Sequence, residues 1–232
     1  MTDPVDVWVL ATHDALTPLA DPGRAAPMRA YMKDVAPFLG ISTPVRRSTL
    51  RAVWKGLPPL TAEQVPAAAV ALWALPEREY PYAACDLLAR EHRRLTSDVL
   101  AEPVERLLTT KPWWDTVDSL GTAVISPLTA RDATQNALMR RWCDSGDRWL
   151  VRAAIQHQRG RGPRTDVPLL LAMCDQHADE REFFIAKAIG WALRDLARWN
   201  PAAVRAFLAA HPALSRVAAR EAERGLVSAA SS

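Results

Sequence analysis

Glycine is scarce in this chain, with 9 among 232 residues, and runs of β-branched residues are almost absent. Alternating β-branched segments are what a sheet is built from. Alanine, leucine and arginine dominate instead, and all three are good helix formers. An all-α fold is therefore expected.

Cysteine is rarer still, with 3 residues. Cys85, Cys143 and Cys174 stand in apolar helical contexts without CxxC spacing. That excludes the usual thiolate zinc signatures and predicts reduced thiols packed in a core, in a cytoplasmic setting. No stretch of 18 apolar residues and no charged-plus-apolar leader occurs, which argues against a secreted or membrane-spanning protein. A Gly-rich phosphate loop, HExxH and GxSxG are all missing. The five histidines (13, 92, 157, 177 and 211) are scattered. No metal and no cofactor is expected.

Proline, by contrast, is plentiful, with 18 residues. Most fall where a helix would begin or end, as at Pro27, Pro44, Pro58-Pro59, Pro112, Pro168 and Pro201. The pattern predicts about a dozen helices of about 10–16 residues joined by short turns. Starts are expected near Pro4, Pro27, Thr43, Thr61, Glu79, Asp98, Pro112, Leu128, Gly146, Asp166, Arg181, Pro201 and Pro212. Val99, Leu100, Val104, Leu107 and Leu108 make one helical stripe, and Val167, Leu170, Leu171 and Cys174 another. Helices pair, and pairs recur at about the HEAT-type interval. No Gly-, Ser- or Pro-rich linker divides the chain. The expected architecture is a single domain over residues 1–232, a right-handed solenoid of HEAT-like helical repeats (an alpha-alpha superhelix), with the tail 227–232 frayed.

Net charge is +3, too small to prove nucleic-acid binding. The cations cluster, however: Arg46, Arg47 and Arg51; Arg90, Arg93 and Arg94; Arg159, Arg161 and Arg164. Each cluster alone reads as solvated helix ends and loops. Together, on a curved repeat protein, they would track phosphates.

Four apolar helices carry residues that do not fit their faces: Arg29-Ala-Tyr31-Met-Lys33-Asp34, Trp113-Trp114-Asp115-Thr-Val-Asp118, Trp149-Leu-Val-Arg152-Ala-Ala-Ile155 and Lys187-Ala-Ile-Gly-Trp191-Ala-Leu-Arg194. Asp118 to Arg152 is 34 positions and Arg152 to Trp191 is 39, within the period of stacked helical repeats, which set equivalent positions side by side. Asp115 falls in a first helical turn, where the dipole favours a carboxylate, so a structural role is the better reading. Asp118 lies a turn deeper, one helical turn after Trp114. There a buried salt bridge and a catalytic acid are equally good readings. Arg152 must find a carboxylate or a phosphate, and Asp118 is one candidate. Gly190 removes a side chain beside Trp191 and lets another surface approach. Lys187 and Arg194 flank that tryptophan as a phosphate-and-base binder would present cations. Trp8, Trp54, Trp73 and Trp142 read as core.

At these residues the chain resembles the DNA alkylation repair proteins of HEAT-like fold, the AlkD-type DNA glycosylases. The resemblance rests on Pro27-Met-Arg-Ala-Tyr-Met-Lys33, Phe38-Leu-Gly-Ile-Ser-Thr-Pro44-Val-Arg-Arg47, Leu75-Pro-Glu-Arg-Glu79, Lys111-Pro-Trp-Trp-Asp-Thr-Val-Asp118, Trp149-Leu-Val-Arg-Ala-Ala-Ile155 and Glu182-Phe-Phe-Ile-Ala-Lys-Ala-Ile-Gly-Trp-Ala-Leu-Arg194. It implies a catalytic cleft of Trp114, Asp118 and Trp191, with Tyr31, Arg152, Lys187 and Arg194 contacting DNA. It also implies a monofunctional glycosylase of base excision repair that removes cationic N3- and N7-alkylated purines from double-stranded DNA without flipping the base. Such an enzyme would act as a monomer on the nucleoid, needing neither membrane nor metal. In that chemistry Asp118 would stabilise the positive sugar and position water, and Trp114 and Trp191 would face the cationic nucleotide. Two alternatives stay open: a catalytically silent HEAT-like protein that senses distorted duplex, and a protein–protein scaffold.

Overall fold

The computed structural model describes residues 3–230. Among them the chain is all-α, of the alpha-alpha repeat class, with no strand. It packs as two units, Met1–Thr116 and Val117–Ser232.

The first unit holds α1 (Pro4–Leu16), α2 (Pro22–Tyr31), α3 (Thr43–Lys55), α4 (Gln64–Ala74), α5 (Glu79–Glu91), α6 (Val104–Thr109) and the opening of α7 (Trp114–Leu120). Helix starts follow local chemistry. Asp3 and Asp21 accept the backbone N–H of Val5 and Arg24, each just before a proline in the first turn. Thr61 and Gln64 cap each other reciprocally, backbone to side chain in both directions. α1 packs on α3 and α4, and α4 on α5. Trp8 and Trp54 stack between them at 5.7 Å. Their indole N–H groups donate to the Pro58 carbonyl and to Thr12 Oγ1, which makes burial of two polar edges tolerable. Trp73 and Trp142 are also buried, so all four tryptophans read as core are core. A buried carboxylate, Glu79, takes the N–H groups of Leu39, Gly40 and Ile41. Gly40 has φ +91°, and a Cβ there would sit 2.2 Å from the Asp21 carbonyl oxygen. Only glycine fits.

Some expected boundaries move. α2 begins at Pro22, so Pro27 lies inside the helix; the N–H it lacks leaves only the Gly23 carbonyl unserved. The helix expected from Asp98 is split into a 3₁₀ turn, Ser97–Leu100, and the short α6. Pro103 stands between them, and a proline both lacks a donor and turns its predecessor away from helix.

The second unit continues α7 through a π-helical turn, Gly121–Ile125, into α8 (Ser126–Arg131). It is followed by α9 (Asn136–Asp144), α10 (Arg148–Gln156), α11 (Val167–Gln176), α12 (Phe183–Ala197), α13 (Pro201–Ala210) and α14 (Arg216–Ala230). α9 has no counterpart among the expected starts. Asp132 caps a 3₁₀ turn before it, which ends α8 and reopens the helix five residues later. α12 packs on α10, α13 and α14, and α10 on α9 and α11. The α12–α14 approach is close because Gly190 and Gly225 face the opposite helix. Cβ atoms there would lie 2.8 Å from Glu221 Cβ and 2.7 Å from the Arg194 carbonyl oxygen. α14 runs to Ala230; the last two residues of the tail expected to fray lie outside the described residues.

Cys85, Cys143 and Cys174 are buried and form no disulfide among the described residues. Burial pushes the Cys143 thiol up to about 11 and raises Cys174 as well, so neither is a thiolate at neutral pH. No helix is long and apolar enough to cross a membrane, and no His, Cys, Asp and Glu group could hold a metal, among the described residues.

Candidate functional site

Asp118 lies on α7, three residues before the π-helical turn begins at Gly121. Such turns carry an extra residue and re-aim the side chains around them. Its carboxylate meets Arg152 of α10 in a bidentate pair: Nε to Oδ1 at 2.9 Å and Nη2 to Oδ2 at 2.8 Å. The remaining Arg152 nitrogen, Nη1, donates to the Phe184 carbonyl at 2.7 Å. Arg152 is 1% exposed, whereas the Asp118 side chain keeps 17%. The arginine expected to touch DNA is therefore buried behind the acid, and the open edge of the pair belongs to Asp118. The salt-bridge reading of Asp118 holds, since it is the partner of Arg152, and its side chain still reaches the surface.

Gln156, one helical turn after Arg152, adds a third hydrogen bond from Nε2 to Asp118 Oδ1 at 3.3 Å. A carboxylate offers about four lone-pair directions, so one remains, on Oδ2. Gln156 Oε1 in turn accepts from Arg159 Nη1 at 2.7 Å. Arg159 is half-buried, and burial lowers its pKa.

Trp191 of α12 completes this group. The guanidinium carbons of Arg159 and Arg152 lie 4.9 Å and 5.1 Å from its ring centre, and Lys187 Nζ lies 5.6 Å away. The sequence reading gave the indole an open face for a cationic nucleotide. Here three cations of the chain itself already lie against the ring.

Lys187 and Arg194, read as backbone contacts, both bind Glu221 of α14, at 2.7 Å and 3.0 Å. Arg224 joins the same carboxylate. The Lys187 ammonium and the other cations hold Glu221 below the usual carboxylate range. Glu221 is 4% exposed while Arg194 is 43% exposed, so the arginine pairs and still faces solvent. The surface that Gly190 admits is α14 itself.

In the first unit, Trp114 opens α7 and meets Tyr31 edge-on, at 6.3 Å between ring centres. Tyr31 is 69% exposed. Asp115 is structural, as its position in the first turn suggests. It pairs with the buried Arg78 at 2.5 Å, accepts from Tyr82, and Arg78 also donates to Lys111 O and Thr116 Oγ1. Lys111 Nζ caps the C-terminus of α4 through the carbonyls of Trp73, Ala74 and Leu75.

The basic clusters divide. Arg46 and Arg47 share Asp86, and Arg90 and Arg94 share Glu91. Arg161 is spent on Ser126, Thr129 and His157. Arg159 makes no such pair. Gln156, Arg159 and Glu221 were missed as site residues. Gln156 stands one helical turn after Arg152 on α10, which was the available signal for it, while Arg159, in the turn that follows, was legible only as part of a basic cluster. Glu221, on the polar α14, had none.

A family model described as DNA alkylation repair enzyme matches residues 12–226. Among solved structures, a predicted DNA alkylation repair enzyme from Enterococcus faecalis is similar at 30% identity and a TM-score of 0.79, over 88% of this chain and 95% of that one. A comparison with curated proteins finds no match.

Proposed function

The chain belongs to the DNA alkylation repair enzyme family, and on that premise we propose that it is a monofunctional DNA glycosylase. Its substrate is duplex DNA bearing cationic N3- or N7-alkylated purines, and its reaction is hydrolysis of the N-glycosidic bond with the base left stacked. The same proposal covers the reading of residues 1–232 as one repeat domain, acting as a monomer in the cytoplasm on the nucleoid.

The observation that carries this reading is the state of Asp118. It is a carboxylate locked by two hydrogen bonds to a buried arginine and one to a glutamine, with one lone pair on Oδ2 unused and the side chain 17% exposed. An acid placed only to neutralise Arg152 has no need of that exposure. The chemistry follows from charge. An alkylated purine is already positive, so it leaves with the electrons of the C1′–N bond and needs no strong general acid. The sugar becomes cationic as that bond breaks. A preorganised carboxylate stabilises that charge and orients the water whose oxygen bonds C1′ and whose surplus proton is released to solvent. Arg152 tempers the negative charge of Asp118 but fixes its position, which is the larger requirement in a preorganised site. Arg152 is accordingly a positioning residue. Tyr31 is proposed to contact DNA and Trp114 to face the cationic nucleotide, and Trp191 to hold the cations around the acid.

A duplex containing a single 7-methylguanine, incubated with the protein and assayed for free base, tests the reading. Release of 7-methylguanine with the sugar–phosphate strand intact is expected. Tight duplex binding with no base release would favour the silent DNA-binding alternative, and absence of both would favour a scaffold.

A further inference from the structure

Beside Trp191 the second unit contains a cavity of about 290 Å³ lined by Arg159, Trp191, Arg194, Asp195 and Arg198. Three of the five lining side chains are guanidinium groups, against one carboxylate. That carboxylate is already engaged: Asp195 Oδ2 accepts the Gly160 N–H at 2.9 Å.

Arg159 is held toward this space by the loop that carries it. Ser126 Oγ donates to the Arg159 carbonyl at 3.2 Å. Gln158 closes the loop base with two hydrogen bonds to Asp166. Gly162, at φ +57°, lets Trp199 pack within about 3.1 Å of where a Cβ would be. The guanidinium is half-buried and pairs with no carboxylate within salt-bridge distance among the described residues. Its Nη1 bond to Gln156 is to a neutral acceptor. Arg198, also without a carboxylate partner there, is exposed at the cavity mouth. A half-buried cation without a counter-ion is unfavourable, and an anion entering the cavity would relieve it. Burial pulls the Arg159 pKa down, and Arg152 and Arg194 add to that, while Asp118 and Asp195 oppose it.

We propose that Arg159, with Arg194 and Arg198, receives a phosphodiester of a DNA strand in this cavity and so sets the register of the strand against Asp118. The inference rests on the glycosylase reading for its substrate but not for its test. The phosphate would be one link away from the acid: Arg159 binds Gln156, and Gln156 binds Asp118. Arg159 is then a binding residue that positions the acid only through Gln156.

Affinity for a fluorescein-labelled undamaged duplex, measured by anisotropy from 50 to 200 mM NaCl, tests the cavity without needing catalysis. Each phosphate contact contributes about 0.9 to the slope of log K against log salt. Arg159→Gln is expected to weaken binding about 5–10-fold at the low-salt end and to lower the slope by about one contact. Arg159→Lys, which keeps the charge, should restore the slope. A role confined to holding Gln156 would reduce base release without moving the slope. Should Arg159→Gln fold poorly by thermal melting, Arg198→Gln at the exposed mouth gives the same readout. A wild-type protein that binds duplex with a normal salt slope, matched by Arg159→Gln and Arg198→Gln, overturns the proposal and leaves the glycosylase reading standing. A wild-type protein that does not bind duplex overturns both.

Discussion

At the scale of single residues, the catalytic role proposed for Asp118 falls on the same carboxylate that pairs with Arg152, and one substitution cannot separate the two. Asp118→Asn leaves Arg152, 1% exposed, without its counter-ion. Breaking a buried pair from one side costs about 3–5 kcal/mol, so the variant should melt lower as well as lose excision. The double variant Asp118→Asn/Arg152→Met removes the stranded charge. It should regain much of the melting temperature while excision of 7-methylguanine stays depressed by about 10²–10³-fold. Excision recovering along with stability would remove Asp118 from the chemistry. His157 gives a second residue-scale prediction. Its ring is buried, with Nδ1 against the Ala154 carbonyl, and burial lowers its pKa from 6.5 to about 4. Between those values the unfolded chain takes a proton that the folded chain refuses. The contribution of His157 to stability is thus intact above about pH 6.5 and lost as pH falls toward 4, approaching about 3 kcal/mol. His157→Gln should flatten the fall of melting temperature between pH 6.5 and 4.5 relative to wild type; parallel curves would show that other groups govern it.

At the scale of elements, the site depends on how α10, α12 and α14 meet. Gly190 sits against Ala218 and Glu221 with no space for a methyl group, the nearest contacts being 2.8–3.0 Å. Gly190→Ala must push α14 away from α12, and overpacking of this kind costs about 1–3 kcal/mol. A fall of about 3–10 °C in melting temperature is expected. Because Trp191 follows directly, and Glu221 anchors Lys187 and Arg194, excision at a temperature well below melting should drop too. An unchanged melting temperature would mean the two helices tolerate a wider spacing than their packing suggests. The residues that decide this contact were only half legible. Gly190 stands out beside a tryptophan, but nothing in the sequence says that α14 is what it admits.

At the scale of the molecule, a net charge of +3 says little about attraction for DNA, because several cations near the site, such as Arg152 and Lys187, are already paired with carboxylates. Duplex binding should nonetheless weaken steeply with salt if the proposed phosphate site of Arg159, Arg194 and Arg198 holds, because counter-ions would be released there. With about three phosphate contacts the affinity should fall roughly 40-fold between 50 and 200 mM salt. A titration that shows no salt dependence would count against phosphate binding by this protein altogether.

The helical class followed from the sequence alone, because propensity and proline placement act over short range and do not wait for tertiary packing. So did the identity of the odd residues: an acid, an arginine and a tryptophan inside apolar helices are anomalies at any stage of folding. Helix edges were less legible where two local signals competed, as at Pro22 and Pro27, or where Pro103 divided a stripe that reads as continuous. Tertiary structure alone decided the partners. Arg152 could have met a phosphate or a carboxylate, and only the apposition of α7 and α10 gave it Asp118. Lys187 and Arg194 look alike in sequence to Arg159, yet two of the three were assigned to Glu221 and one was left with a cavity. The physical reason is that charge pairing depends on distances of a few ångströms between helices far apart in the chain, and a linear sequence records which charges exist but not which of them meet.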